Sequence, residues 1–220
     1  MHITVQNLSN IKDQIQSKIM EFKLENYSPN IIAVSKTFKV DHIKHLLDFG
    51  HIHFGENKVQ EALDKWTEVK QQYPDIKLHM LGKLQSNKVK NAVKIFDYIH
   101  SVDNPKLVKK ISEEQNKNKK KIKVFLQVNI GDEIQKSGVK YEEFFNLLEI
   151  SKSYNLDVIG SMCIPPDDDK SEIYFSKLKK INDDAKLQEL SMGMSNDFLK
   201  AVEYKSTFLR IGSKIFGNRS

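Results

Sequence analysis

A single cysteine, Cys163, stands in this chain of 220 residues, so no disulfide can close within it and no paired-cysteine zinc site can be written. Nothing points to an oxidising compartment, and a cytoplasmic protein is expected. Long apolar runs are also missing. No stretch approaches the length of a bilayer span, and the polar, helix-patterned segment from Met1 to Glu25 lacks the apolar centre of a signal peptide. Neither membrane insertion nor export is expected. Arginine is nearly absent: Arg210 and Arg219 are the two among 35 basic residues. Lysine therefore serves wherever any cation suffices. An arginine inside the apolar run Phe208-Leu209-Arg210-Ile211-Gly212 marks either a need for a planar, permanently charged, multi-donor group or a buried ion pair.

Several familiar signatures are absent as well. There is no Gly-x-Gly-x-x-Gly turn, no Walker loop and no Gly-x-Ser-x-Gly elbow. His42 and His45 share a helical face and His51 and His53 alternate on a strand, but spacing supplies no third ligand, so no metal is expected. The net charge of +6 has one dense source, Lys117, Lys119, Lys120, Lys121 and Lys123, with no aromatic residue interleaved. That pattern reads as a solvated loop, and nucleic acid is not an expected partner.

What is present is a rhythm. Leu8, Ile11, Ile15, Ile19 and Phe22 recur at helical spacing and mark an N-terminal amphipathic helix. Eight short apolar runs follow, at Ile31 to Val34, His51 to Phe54, Leu78 to Leu81, Tyr98 to Val102, Val124 to Ile130, Val158 to Ile164, Leu187 to Met192 and Phe208 to Ile211. Helix-length segments separate them, at about 40–49, 57–72, 86–95, 104–117, 140–154, 169–183 and 196–204. Alternation of this kind implies parallel crossovers, and eight units can close into a (β/α)8 TIM barrel with the first helix packed outside. An open doubly wound sheet is the alternative. With 39% hydrophobic content, residues 1–220 suit one domain around one core.

In such folds chemistry gathers where strands end. Lys36 closes the run Ile31-Ile32-Ala33-Val34-Ser35, which places a primary amine there. An amine beside an apolar strand loses hydration, and that favours its nucleophilic neutral form; simple snorkelling to water is the bland reading. Gly55, Gly82, Gly160, Gly193, Gly212 and Gly217 fall within or just after strands and suggest a slim, ligand-lined rim. The stretch from Arg210 through Gly212 and Ser213 to Gly217 resembles a phosphate cradle: strand, glycine turn, hydroxyl, one helical turn. Ser191 to Asp197 adds a second glycine turn with hydroxyls, including Ser195, although Ser-Asn-Asp also suits a helix cap. Glu56-Asn57 either caps the following helix or holds a ligand, capping being the first reading.

Taken in order, these segments resemble the pyridoxal phosphate homeostasis protein family along nearly the whole chain. The resemblance rests on Ala33-Val34-Ser35-Lys36-Thr37, on Phe54-Gly55-Glu56-Asn57 with Val59-Gln60-Glu61, and on His79-Met80-Leu81-Gly82 with Leu84-Gln85-Ser86-Asn87-Lys88. It continues through Gln127-Val128-Asn129-Ile130, Lys136-Ser137-Gly138, Gly160-Ser161-Met162, Ser191 to Ser195, and Arg210-Ile211-Gly212 to Gly217. The resemblance implies a barrel like the N-terminal domain of alanine racemase, with pyridoxal 5'-phosphate held as an aldimine on Lys36. It further implies that Arg210 faces the pyridine nitrogen, that Ser195, Gly212 and Ser213 hold the phosphate, and that Asn57 belongs to the cofactor contacts. Ser213 departs from the usual threonine but keeps the hydroxyl and the N–H.

The function so implied is buffering and delivery of vitamin B6 without substrate turnover, with transient contact to apo-enzymes and a monomeric state expected. The rival is an amino-acid racemase using Lys36 as base. It would need an opposing acid such as Tyr98, Tyr141, Tyr154 or Tyr204, or a second domain for which the chain is expected to have no room.

Overall fold

The computed structural model describes residues 1–217, and among them eight parallel strands close into a barrel in chain order. Strand β1 (Asn30–Val34) pairs with both β2 (His53–Glu56) and β8 (Phe208–Ile211), which closes the ring and excludes an open sheet. Between them stand β3 (Lys77–Met80), β4 (Tyr98–Val102), β5 (Lys123–Val128), β6 (Asp157–Cys163) and β7 (Glu189–Met194). Helix α1 (Ile3–Glu21) precedes the barrel. The outer ring is α2 (Val40–Asp48), α3 (Val59–Gln72), α4 (Val89–Ile95), α5 (Pro105–Lys117), α6 (Phe144–Ser153), α7 (Ser171–Asp184) and α8 (Phe198–Glu203), followed by the single turn α9 (Ser213–Phe216). None of these helices is long and apolar enough to cross a membrane.

Local chemistry explains the element ends. Asn104 accepts the Leu107 N–H at 2.9 Å while Pro105 takes the first helical position, so α5 starts where an orphan donor is satisfied and a fixed φ helps. The second strand begins two residues later than the apolar run suggests. Gly50, at φ 83°, and His51, whose N–H reaches the Leu46 carbonyl at 2.9 Å, are used to end α2. The seventh strand likewise starts at Glu189, because the Leu187 N–H closes α7 on the Asn182 carbonyl at 3.0 Å. Segments 86–95 and 140–154 each open with a 3-10 turn, Ser86–Lys88 and Tyr141–Glu143, before the α-helix proper. The lysine cluster lies mostly in an exposed turn, although Lys120 folds inward to donate to the Phe96 carbonyl at 2.7 Å.

Two apolar layers hold the barrel. The larger lies between strands and helices, where Ala62, Trp66 and Val69 of α3 pack on the outward side chain of Phe54 and its neighbours. The smaller fills the barrel itself with Ile32, Leu81, Phe125, Met162 and Phe208. Burying each such large side chain contributes roughly 1.5–3 kcal/mol. The inner layer stops short of the strands' C-terminal ends, and there a cavity opens.

Candidate functional site

The cavity has a volume of about 920 Å³, and Lys36, Asn57, Ser195, Arg210, Gly212 and Ser213 all line it. Every residue singled out as a contact from the sequence therefore meets the same space. Gln127, Lys136 and Ser137 line it too, and no spacing argument had drawn them in.

Lys36 sits two residues beyond β1, half-buried, on a turn pinned from below. Lys65 of α3 donates to the Ser35 carbonyl at 2.8 Å and to Glu56 Oε1 at 2.8 Å. The Ser35 hydroxyl donates to the same carboxylate oxygen at 2.7 Å, and the Trp66 indole N–H at 3.0 Å. On the other side of Lys36, the Thr37 N–H donates to Glu61, whose carboxylate also meets Lys65 at 3.2 Å. Thr37 holds a φ of 71°, an unfavourable place for a β-branched residue, so this turn stores strain that its anchors must overcome. Glu56 is fully buried, and its Oε2 has no hydrogen-bond partner among the described residues. Burial pushes its carboxyl up from the usual range, while the Lys65 ammonium opposes that shift.

At the far side, the β7 and β8 loops converge. The Lys214 N–H and Ser195 Oγ are 3.5 Å apart, which joins the two hydroxyl-bearing turns, and Ser213 opens α9 beside Gly212. Asp197 occupies the position before α8 but bonds back to the Met194 N–H at 2.6 Å instead of capping the helix. The capping role for Asn57 is also corrected: Lys58 is the residue before α3, without a side-chain cap, and Asn57 stays at the cavity wall. Its loop is fixed by proximity, since a Cβ on Gly82 would stand 2.3 Å from the Asn57 carbonyl oxygen. The glycine rim is half right. Gly82, Gly212 and Gly217 line the cavity, whereas the strand glycines such as Gly160, whose Cβ would meet the Glu189 carbonyl at 2.0 Å, serve strand packing.

Arg210 reaches the cavity from the β8 interior, 4% exposed. No carboxylate pairs with it among the described residues, which sets aside the buried ion pair. Its guanidinium donates instead to Ser191 Oγ at 2.7 Å and to the Cys163 carbonyl at 2.8 Å, leaving further donors for the cavity. Burial lowers its pKa, but a guanidinium still stays charged. Behind Ser191 runs a file of histidines that the sequence reading missed. His100 Nδ1 lies 2.8 Å from Ser191 Oγ, His79 Nδ1 lies 2.9 Å from His100 Nε2, and His53 Nδ1 lies 2.9 Å from His79 Nε2. Their strand positions share the inward parity that buries His79 and His100 and half-buries His53, which is the one signal the sequence held. No cluster among the described residues is arranged to hold a metal.

The chain and its barrel are similar to known proteins. The model of the alanine racemase N-terminal domain matches residues 6–220. Two curated relatives named pyridoxal phosphate homeostasis protein are each 36% identical and cover 97% of this chain: that of Pasteurella multocida, 97% of which is matched, and that of Vibrio cholerae, 95% of which is matched. Among solved structures, PipY of Synechococcus elongatus with PLP bound aligns at a TM-score of 0.79 and 31% identity, over 92% of this chain and 100% of that one. Alanine racemase of Clostridium difficile aligns at 0.70 and 16% identity, over 94% of this chain and 57% of its own, a likeness of fold alone. With a lysine at the end of β1, an arginine in β8 and hydroxyl turns after β7 and β8 on that shared barrel, the chain belongs to the pyridoxal phosphate homeostasis protein family.

Proposed function

We propose that the protein binds pyridoxal 5'-phosphate through Lys36 and keeps it available to other proteins, as a carrier without substrate turnover. The observation that carries this is one cavity lined by groups of different chemistry: an amine on the β1 turn, hydroxyls and backbone N–H groups on the β7 and β8 turns, and a buried guanidinium. Its volume of about 920 Å³ suits a small ligand, for which pockets span about 300–1,000 Å³. When bound, the cofactor supplies an aldehyde that condenses reversibly with an amine and releases one water. Lys36 provides that amine, held by the Ser35 and Thr37 anchors. Ser195, Gly212 and Ser213 would hold the phosphate, Asn57 would border the ring, and Arg210 would donate to the ring nitrogen. A donor there keeps that nitrogen unprotonated, which weakens the ring as an electron sink and suits storage over carbanion chemistry.

The two relatives are named for homeostasis of this cofactor, and the PipY structure carries it, which supports the reading. The positions of the tyrosines support it as well. Tyr98, half-buried at the start of β4, stacks on His79 at a centroid distance of 4.2 Å, and Tyr204 tilts against Phe175 of α7. Tyr141 and Tyr154 flank α6, and none of the four is among the residues lining the cavity. Residues 1–220 would act as one cofactor-binding unit, monomeric and cytoplasmic, meeting apo-enzymes transiently.

The test is to load purified protein with pyridoxal phosphate, record the visible spectrum, reduce with borohydride and map the modified peptide. Label on Lys36, absent in Lys36→Ala, is the expected outcome. Colourless protein, or label that ignores the Lys36 substitution, overturns the site. Racemisation of alanine by the loaded protein, lost in Lys36→Ala, overturns the carrier.

A further inference from the structure

The contacts behind Arg210 impose an order on every proton in the file. Arginine has no acceptor, so Ser191 Oγ must accept from Arg210. Ser191 is fully buried, and its other hydrogen-bond partner among the described residues is His100 Nδ1. The hydroxyl proton therefore goes to His100, since pointing elsewhere would leave a buried donor without an acceptor. His100 then carries its own proton on Nε2 and gives that bond to His79 Nδ1. His79 in turn carries its proton on Nε2 and gives to His53 Nδ1. All three rings must be neutral and Nε2-protonated. Each donation polarises the next, so the oxygen facing Arg210 becomes a better acceptor than an isolated serine.

The surroundings enforce neutrality. Phe125 stacks on His100 and Tyr98 on His79, each at 4.2 Å, and Phe208 contacts all three rings. The charged groups facing the file are Arg210 at one end and Lys70, Lys77 and Asp97 at the other, with neutral His51 beside His53. Burial lowers the pKa of each ring in the file. A charged His53 would hold protons on both nitrogens and could no longer accept from His79. The order would reverse along the file and strand the Ser191 hydroxyl.

We propose that Ser191, His100, His79 and His53 form a one-way hydrogen-bond relay that positions Arg210 in the cavity and thereby sets how long a pyridine-ring ligand is retained. The effect on retention rests on the cofactor reading above; the proton order does not. These are positioning residues, acting through Arg210.

Two measurements test the relay. Imidazole ¹⁵N NMR of the full chain without cofactor reads the order directly. His79 and His100 neutral with the proton on Nε2 is expected, and an Nδ1-protonated or doubly protonated His100 at neutral pH overturns the relay. Pyridoxal phosphate release is then followed by visible absorbance after dilution of loaded protein. Ser191→Ala and His100→Leu each remove the acceptor chain and release about tenfold faster, as expected for loss of one bond to a charged donor. His100→Asn keeps an oxygen acceptor near the Nδ1 position, so it restores slow release and an unshifted absorption band, which a merely space-filling role for His100 would not do. Unchanged release in both Ser191→Ala and His100→Leu overturns the relay. Failure of the unsubstituted protein to take up cofactor condemns the carrier reading instead, and the proton order is then decided by the NMR alone.

Discussion

Lys65 and Glu56 form an ion pair at 2.8 Å, with side chains 7% and 0% exposed, directly beneath the turn that carries Lys36. Both groups reach the Ser35 residue, Lys65 through its carbonyl and Glu56 through its hydroxyl. The pair is thus the foundation of the proposed amine site, and its disruption tests whether the turn depends on it. A lone buried carboxylate is far less tolerable than an intact pair.

Lys65→Met leaves Glu56 charged, buried and short of its strongest donor, at a cost of about 3–5 kcal/mol in urea unfolding. Lys65→Met with Glu56→Gln removes both charges and costs less than the two single substitutions summed, the excess being the coupling between them. Additive single and double costs would mean that the two side chains do not interact. The loosened turn should also slow uptake of pyridoxal phosphate by Lys65→Met.

Acid should unfold the protein through its histidines. Burial lowers His51 from 6.5 to about 4, and His53 likewise to about 4. The native state keeps these rings neutral while the unfolded chain takes up protons below 6.5, so stability falls as pH drops from 6.5 and levels off near 4 for these two. For His51 alone the full loss is about 3 kcal/mol at 1.36 kcal/mol per pKa unit. Urea midpoints across that range check it, and His51→Phe should flatten the dependence. A midpoint that stays constant from neutral pH to pH 4 would show that the rings titrate normally.

The barrel was legible because parallel strands are covered on both faces and so appear as unbroken apolar runs such as Ile31-Ile32-Ala33-Val34. Lys36 and the Gly212-Ser213 turn stood out because each ends such a run, and Arg210 because it interrupts one. The histidine relay and the Glu56–Lys65 pair did not, for a shared reason: their partners are set by register between segments, not by spacing within one. His79 lies opposite Gly55 on one side and Tyr98 on the other, a register no single strand encodes. Glu56, whose sequence neighbourhood suggests a helix cap or a ligand contact, meets Lys65 only when the outward side of β2 is laid against the inner face of α3. Strand starts shifted at β2 and β7 because helix-ending bonds used residues that also look like strand.

Gly82→Ala probes the junction of two rim loops. The added methyl would stand 2.3 Å from the Asn57 carbonyl oxygen and 2.9 Å from its Cα, both backbone atoms that cannot swing away. The β2 and β3 loops must separate, at a cost of about 1–3 kcal/mol. Asn57 moves with its loop, so affinity for pyridoxal phosphate drops along with thermal stability. A variant that melts and binds like the parent would show that the close approach is unimportant.

Arg210→Lys tests why one arginine is kept in a chain that otherwise uses lysine. The guanidinium spans Ser191 Oγ and the Cys163 carbonyl through two different nitrogens while still facing the cavity. A single ammonium nitrogen cannot hold that geometry, and its stronger hydration makes a site only 4% exposed costly to occupy. Desolvation lowers the pKa of the new lysine and releases its proton more readily than arginine would. The expected result is a destabilisation of about 1–3 kcal/mol, together with faster cofactor release and a visible band that now depends on pH near neutrality. Arg210→Lys that keeps the parent's stability, release rate and pH-independent band would show that any cation suffices at this position.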